Sequence, residues 1–321
     1  MPGQLDCVVI DTGPAAYLKP VVTEWLRDPP PFEWSIRLSE NAARLFGKTE
    51  GLDGHRGADV CREDVEPGWI GDAVLVSAGG WPVETALVRA GRARGKPAIQ
   101  FVDTCYNYTR RFCVDGVWTL PDRLFLVTEQ SIAEAAAEGV PAEICRAVGH
   151  PLWEQVTVGE ACGTGDVLFI GAPVARDYGG SLGYSESDAW KTLCEVLADG
   201  FGARPHYAPH PEQDAASLPE DAELVAYDPI TLNRYDTYVG MFSAPLVEAY
   251  LARRRSISLQ PGATGVDMFF LSRQGYLPRV TDHASLEKAL AAPPSDPIAF
   301  AREVSGSGQK LNRLLREVLA L

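Results

Sequence analysis

The sequence predicts an α/β protein made of two Rossmann-like domains. Three observations lead there. The chain has 321 residues, which suits two domains of about 150 residues each. Short, continuous apolar runs alternate with amphipathic segments, the pattern of parallel strands covered on both faces by helices. The alternation stops near residue 151 and restarts near residue 166. The expected division is 1–155, 165–300 and a C-terminal helix over 301–321 that crosses back to the first domain.

The elements follow in order. Leu5 to Ile10, Ala73 to Val76, Ala98 to Val102 and Arg123 to Val127 read as buried strands. Between them, Pro82 suits a first helical turn, Val83, Ala86, Leu87 and Ala90 share a face, and Gly95 stops that helix. Ser131 with Glu134 has capping-box spacing, and Gly139 followed by Pro141 ends the helix it opens. Gly159, Gly163 and Gly165 mark a linker. Beyond it, Asp166 to Ile170, Leu224 to Tyr227, Thr237 to Gly240 and Ser256 to Leu259 read as strands. Ser187 to Ala198 reads as a helix with Trp190, Leu193, Val196 and Leu197 on one face. The tail from Pro297 reads as one or two helices. Strand–helix–strand repetition implies right-handed crossovers and doubly wound sheets.

Composition narrows the function. A formal charge of −14 disfavours nucleic acid and anionic membrane surfaces as partners. The seven scattered cysteines include no C-x-x-C and read as reduced residues, which with the absence of a signal-like start places the protein in the cytoplasm. No Cys/His cluster has zinc spacing and no D-x-D occurs, so neither metal nor cofactor is called for. No hydrolase serine elbow is read from the chain.

In doubly wound sheets ligands bind at the carboxyl ends of the strands, so those loops hold the candidate residues, and a cleft between the two domains is the expected location. In the second half, Thr237 to Gly240 runs into Phe242, Ser243 and Ala244, where a helix begins. Free amides at Ser243, Ala244 and Leu246 suit a diphosphate, and Glu248, a turn further in, suits a ribose. Pro209-His210-Pro211 fixes a histidine able to donate to phosphate or move a proton. Gly171 and Gly180 allow close approach to a ligand, and Tyr227 closes a strand nearby. In the first half, Gly13 follows the first strand, Ser77, Gly79 and Gly80 follow a later one, and Asp103 ends the next. Asp103 is the candidate general base, ahead of Asp11. Gly13, Ser77, Gly79 and Gly80, the last three in a loop with free N–H groups, are candidates to hold an acceptor, as are Asn107, Tyr108 and Arg111.

Together these segments resemble GT-B-fold proteins: nucleotide-sugar glycosyltransferases, non-hydrolysing UDP-N-acetylglucosamine 2-epimerases, and CDP-glycerol transferases. Pro121 to Val127 with its helix, Gly149-His150-Pro151, Pro209-His210-Pro211 and Ser243 through Glu248-Ala249 carry the likeness. It implies two Rossmann-like domains facing across a cleft, a nucleotide-sugar donor on the second and a hydroxyl acceptor (glycan, lipid-linked or small molecule) on the first. It implies metal-independent transfer in polysaccharide or glycoconjugate synthesis, with the 2-epimerase reaction or a non-catalytic binding protein as alternatives. Self-association is left open.

Overall fold

The computed structural model describes residues 3–68, 71–157, 165–202, 204–228 and 231–320. Gly159, Cys162 and Gly163 of the expected linker lie outside the described residues. The chain forms two compact units, Met1–Gln155 with Glu303–Leu321, and Val156–Arg302.

The first unit runs β1 (Gln4–Val9), α1 (Thr12–Arg27), β2 (Glu33–Leu38), α2 (Glu40–Phe46), β3 (Ala73–Ser77), α3 (Pro82–Arg94), β4 (Ala98–Phe101), α4 (Tyr108–Phe112), a hairpin of β5 (Cys113–Val114) and β6 (Val117–Trp118), β7 (Arg123–Leu126), α5 (Glu129–Ala137) and β8 (Cys145–Ala147). Six strands pair in parallel in the order β2-β1-β3-β4-β7-β8. The strand order reverses between β1 and β3. Successive residues of β1 explain the unbroken apolar run. Cys7 and Val9 pack with Leu18, Val22 and Trp25 on one face, while Val8 and the following Ile10 pack with Val83 and Leu87 on the other. The helix expected to be capped by Ser131 starts earlier, because Thr128 Oγ1 accepts from the Ser131 amide at 3.0 Å.

The second unit runs β9 (Val167–Ile170), α6 (Val174–Tyr178), α7 (Glu186–Gly200), β10 (His206–Ala208), β11 (Glu223–Leu224), α8 (Thr231–Arg234), β12 (Thr237–Gly240), α9 (Ala244–Leu251), β13 (Arg255–Leu259), α10 (Phe270–Arg273), β14 (Arg279–Val280) and α11 (His283–Ala291). Its sheet is also parallel, in the order β11-β10-β9-β12-β13-β14, and reverses between β9 and β12. Trp190, Leu193, Val196 and Leu197 are buried together on α7, as their spacing predicts. Strand β11 ends at Leu224, so Tyr227 has already left the sheet.

The tail forms α12 (Ile298–Val304) and α13 (Ser307–Val318). Leu311 and Leu315 of α13 enter the core of the first unit. Trp25 Nε1 donates to Asn312 Oδ1 at 2.6 Å. The Glu154 carboxylate accepts from the Ser307 and Gly308 amides at 2.6 and 3.1 Å, a negative charge on the helix start where the dipole favours it.

Candidate functional site

In the first unit the loops after β1, β3 and β4 bring their polar residues together beside the reversal of strand order. Asp103 leaves β4 and lies directly over Gly13 in the first turn of α1. A methyl group built on Gly13 would overlap Asp103 Oδ2, so only glycine lets the carboxylate come this close. Burial pushes the Asp103 carboxyl up, the Arg111 charge pulls it down, and the charge of Asp11 pushes it up again. Asp11 is itself clamped: Trp81 Nε1 donates to its Oδ2 at 2.6 Å and Arg62 forms an ion pair with its Oδ1. The Arg62 guanidinium lies 4.1 Å from the centre of the Trp81 ring. Arg62 also lines a cavity of about 670 Å³ with Ser39, Asn41, Arg56, Asp59 and Glu63.

Several expected roles change here. The loop Ser77-Ala78-Gly79-Gly80-Trp81 was expected to offer free donors to an acceptor. Its donors are taken instead. The Glu84 carboxylate accepts from Ser77 Oγ at 2.8 Å, from the Gly79 amide at 2.7 Å, the Gly80 amide at 2.8 Å and the Trp81 amide at 3.0 Å. The nest is an anion site filled by the chain's own anion. Burial pushes Glu84 up to about 7, against the pull of these four donors. Tyr108 was expected to touch an acceptor. It is fully buried, packed with Ala78, Val102 and Phe112. Arg111 braces the loops from inside, donating to Tyr106 O at 3.2 Å, to Thr104 Oγ1 at 2.7 Å and to Ala78 O. Asn107 precedes α4 in the left-handed region, at φ 61°, and does not cap it with its side chain. The sequence reading passed over Glu84, although its position three residues after Trp81 carries a capping signal.

In the second unit the reversal of strand order lies between Gly171, after β9, and the start of α9. Gly171 is held tightly: a Cβ there would lie 2.6 Å from Gln213 Oε1 and 2.8 Å from the Tyr207 hydroxyl oxygen. Ser243 occupies the N-cap position of α9 with extended backbone, and its hydroxyl makes no capping bond. The Leu246 amide, expected to be free, bonds back to Ser243 O at 3.0 Å, because the first turn closes on itself. The amides of Ser243 and Ala244 precede that closure. Phe242 meets Tyr178 edge to face at 5.8 Å. One turn into α9, Glu248 Oε2 accepts from the Tyr227 hydroxyl at 2.6 Å. Burial pushes the Glu248 carboxyl up, and the Tyr227 bond offsets part of that rise.

His210 follows β10 at the same end of the sheet. Its Nδ1 accepts from the Glu212 amide at 3.1 Å, so the neutral ring carries its proton on Nε2 and presents a donor. Burial lowers its basicity. A basic residue stands beside it: the charge of Arg176 acts on His210, and Arg176 is held by Glu212 at 3.0 Å and by Asp177 at 2.6 Å. Gly180 is exposed with open space around it and joins none of these groups. The run Gly179-Gly180-Ser181-Leu182-Gly183 does carry G-x-S-x-G spacing. It is no nucleophile elbow, since it follows helix α6, not a strand, and Ser181 Oγ donates to Tyr178 O at 2.7 Å. Among the described residues, no group of three or more His, Cys, Asp or Glu side chains could hold a metal ion. No helix among them is long and apolar enough to cross a membrane.

No protein-family model matches the chain, and no curated protein matches its sequence significantly. Solved structures do match in fold. The UDP-GlcNAc 2-epimerase of Neisseria meningitidis bound to UDP-GlcNAc superposes with a TM-score of 0.65 at 11% identity, over 98% of this chain and 100% of the other. The chain has the GT-B fold. Other structures with this fold agree. The kitacinnamycin glycotransferase gives a TM-score of 0.61 at 15% identity, over 99% of each chain. The MnaA–UDP complex of S. aureus gives 0.64 at 12% identity, over 99% of this chain and 97% of the other. GT-B folding therefore persists here at identities where single residues cannot be carried across.

Proposed function

We propose that this GT-B protein is an enzyme acting on a nucleotide-activated sugar, and that it transfers the sugar to a hydroxyl acceptor. The observation that carries the reading is the start of α9. It stands at the strand-order reversal of the second sheet, its Ser243 hydroxyl makes no capping bond, and Glu248 follows one turn on. Amides and helix dipole suit a diphosphate, and a carboxylate one turn further suits the attached ribose. Gly171, Phe242 and Ala244 border this place, and His210 Nε2–H is a further donor for the departing diphosphate. At the corresponding helix start of the first unit, that of α3, Glu84 takes the amides. That asymmetry favours the second unit for the donor and leaves the first for the acceptor.

In this reading Asp103 takes the proton of the acceptor hydroxyl as that oxygen attacks the anomeric carbon, and the nucleoside diphosphate leaves with the bonding electrons. The raised proton affinity of Asp103 suits a general base near neutral pH. The cavity beside Arg62 and Asn41 is the acceptor's seat. Synthesis of a glycan or glycoconjugate is the setting we infer.

A second reading has a specific observation behind it. The charge of Asp11 pushes the Asp103 carboxyl up, and two carboxylates at one cluster of strand ends suit the proton removal and return of an epimerase. That reaction needs no acceptor. The deciding experiment is incubation with UDP-, CDP-, GDP- and TDP-sugars with and without a mixed hydroxyl-acceptor pool. Acceptor-dependent release of nucleoside diphosphate supports transfer. Acceptor-free change at the sugar supports epimerisation. Absence of both, with no thermal stabilisation by any nucleotide, removes the enzyme reading.

A further inference from the structure

The Tyr227–Glu248 pair adds something that the reading above does not contain. A carboxylate facing a ribose has two oxygens for two neighbouring hydroxyls. In this chain Oε2 already accepts the Tyr227 hydroxyl proton at 2.6 Å. No other hydrogen bond to the Glu248 side chain is made among the described residues. Tyr227 is placed to do this because β11 ends at Leu224 and the chain turns out of the sheet before reaching it. Both side chains are partly buried, so the contact is sheltered from competing water.

We propose that Tyr227 makes Glu248 a reader of one ribose hydroxyl, not of the pair. The inference rests on the donor site assigned above. One hydroxyl of the bound nucleotide donates to the free Oε1 and meets a charged acceptor. The other meets Oε2, which has one lone pair already taken and part of its charge offset by the Tyr227 hydroxyl, so it is held more weakly. Hydrogen bonds to charged partners are worth roughly tenfold or more in affinity, while neutral ones are worth a few fold. The two hydroxyls are therefore unequal, and a donor lacking the weakly held one is tolerated. Removing the phenol oxygen frees Oε2 and evens them.

The test is calorimetric titration of the full chain with UDP, CDP, GDP and ADP, followed by the 2′-deoxy and 3′-deoxy forms of whichever binds. On the natural chain, one deoxy form should weaken by about tenfold or more and the other by about threefold or less. In Tyr227→Phe the two losses should fall within about threefold of each other. Equal losses on the natural chain overturn the proposal, and so does an unchanged disparity in Tyr227→Phe. Should that variant fail to fold, the two deoxy forms on the natural chain still decide. Binding of a parent diphosphate with equal losses overturns only this inference. Failure of every diphosphate to bind overturns the donor site, and this inference with it.

Discussion

Gly13→Ala tests the contact on which the proposed base depends. The added methyl would overlap Asp103 Oδ2. Relieving the overlap means turning a carboxylate away from its place between the start of α1 and Arg111, and overpacking of this kind costs about 1–3 kcal/mol. Alanine also favours helix over glycine by up to about 1 kcal/mol, less in a first turn. The net expectation is a loss of about 0–3 kcal/mol, too wide a range to interpret alone. The double-mutant cycle resolves it. In an Asp103→Ala background there is nothing to strike, so Gly13→Ala should become neutral or stabilising. The coupling energy between the two positions should then be about 1–3 kcal/mol. Native-state hydrogen exchange of the α1 amides reads this locally, without assuming that two units unfold together. Equal effects of Gly13→Ala in both backgrounds would refute the packing argument. With a working substrate, Gly13→Ala should also lower kcat by about a hundredfold, because a base displaced by an ångström loses its geometry.

Other expectations can be checked in parallel. Glu84→Gln places an amide NH₂ against amides that need an acceptor and should destabilise by about 2–4 kcal/mol, measured by urea unfolding. His150 is buried, stacked on Trp153 at 3.8 Å, and its basicity is lowered to about 3 by burial. The unfolded chain therefore takes this proton first. The stability His150 contributes is present above about pH 6.5, falls as the pH drops below it, and is fully lost below about 3. His150→Phe should flatten that part of the pH–stability curve. Glu154→Gln weakens the cap on α13 and should lower stability by about 1 kcal/mol, with faster exchange of the Ser307 and Gly308 amides as the local readout. His210→Ala should reduce turnover by about a hundredfold while leaving the affinity for nucleoside diphosphate within a few fold, if its Nε2–H serves the departing charge.

The framework was legible because parallel strands buried on both faces have no polar side to confuse the pattern. Ala73 to Val76 and Thr237 to Gly240 are such runs, and they appear in the fold within a residue of their expected limits. Strand β2 was missed, since Glu33 and Ser35 interrupt the apolar run at the start of this sheet-edge strand. Helix α1 was missed too, because Gly13, Pro14 and Pro20 argue against a helix that packing holds in place through Leu18, Val21, Val22 and Trp25. The loop residues were found by position, at strand ends, but their partners were not. No spacing rule tells whether the amides of Gly79 and Gly80 face a ligand or Glu84. Nor does any reveal that Tyr227 reaches across 21 residues to Glu248. Such facts depend on side-chain directions that only the assembled sheet defines.

The two sheets reverse their order in the same way, yet they present opposite chemistry at the reversal. In the first, the helix after β3 carries its own carboxylate back onto the preceding loop, and two further carboxylates, Asp11 and Asp103, stand at the neighbouring strand ends. In the second, the helix after β12 begins with Ser243, Ala244 and Pro245, none of which can return an anion to its start. A helix start left without an internal anion favours an external one, whereas paired carboxylates repel it. The difference follows from one substitution of role, glutamate at the third helical position in α3 and leucine in α9. Replacing Leu246 with Glu should therefore fill the second start as Glu84 fills the first. Leu246 is buried, so the variant is first checked for its fold by circular dichroism, and in the folded variant nucleoside diphosphate binding should fall by at least tenfold, read by calorimetry. Unchanged affinity in that variant would show that the phosphates lie elsewhere.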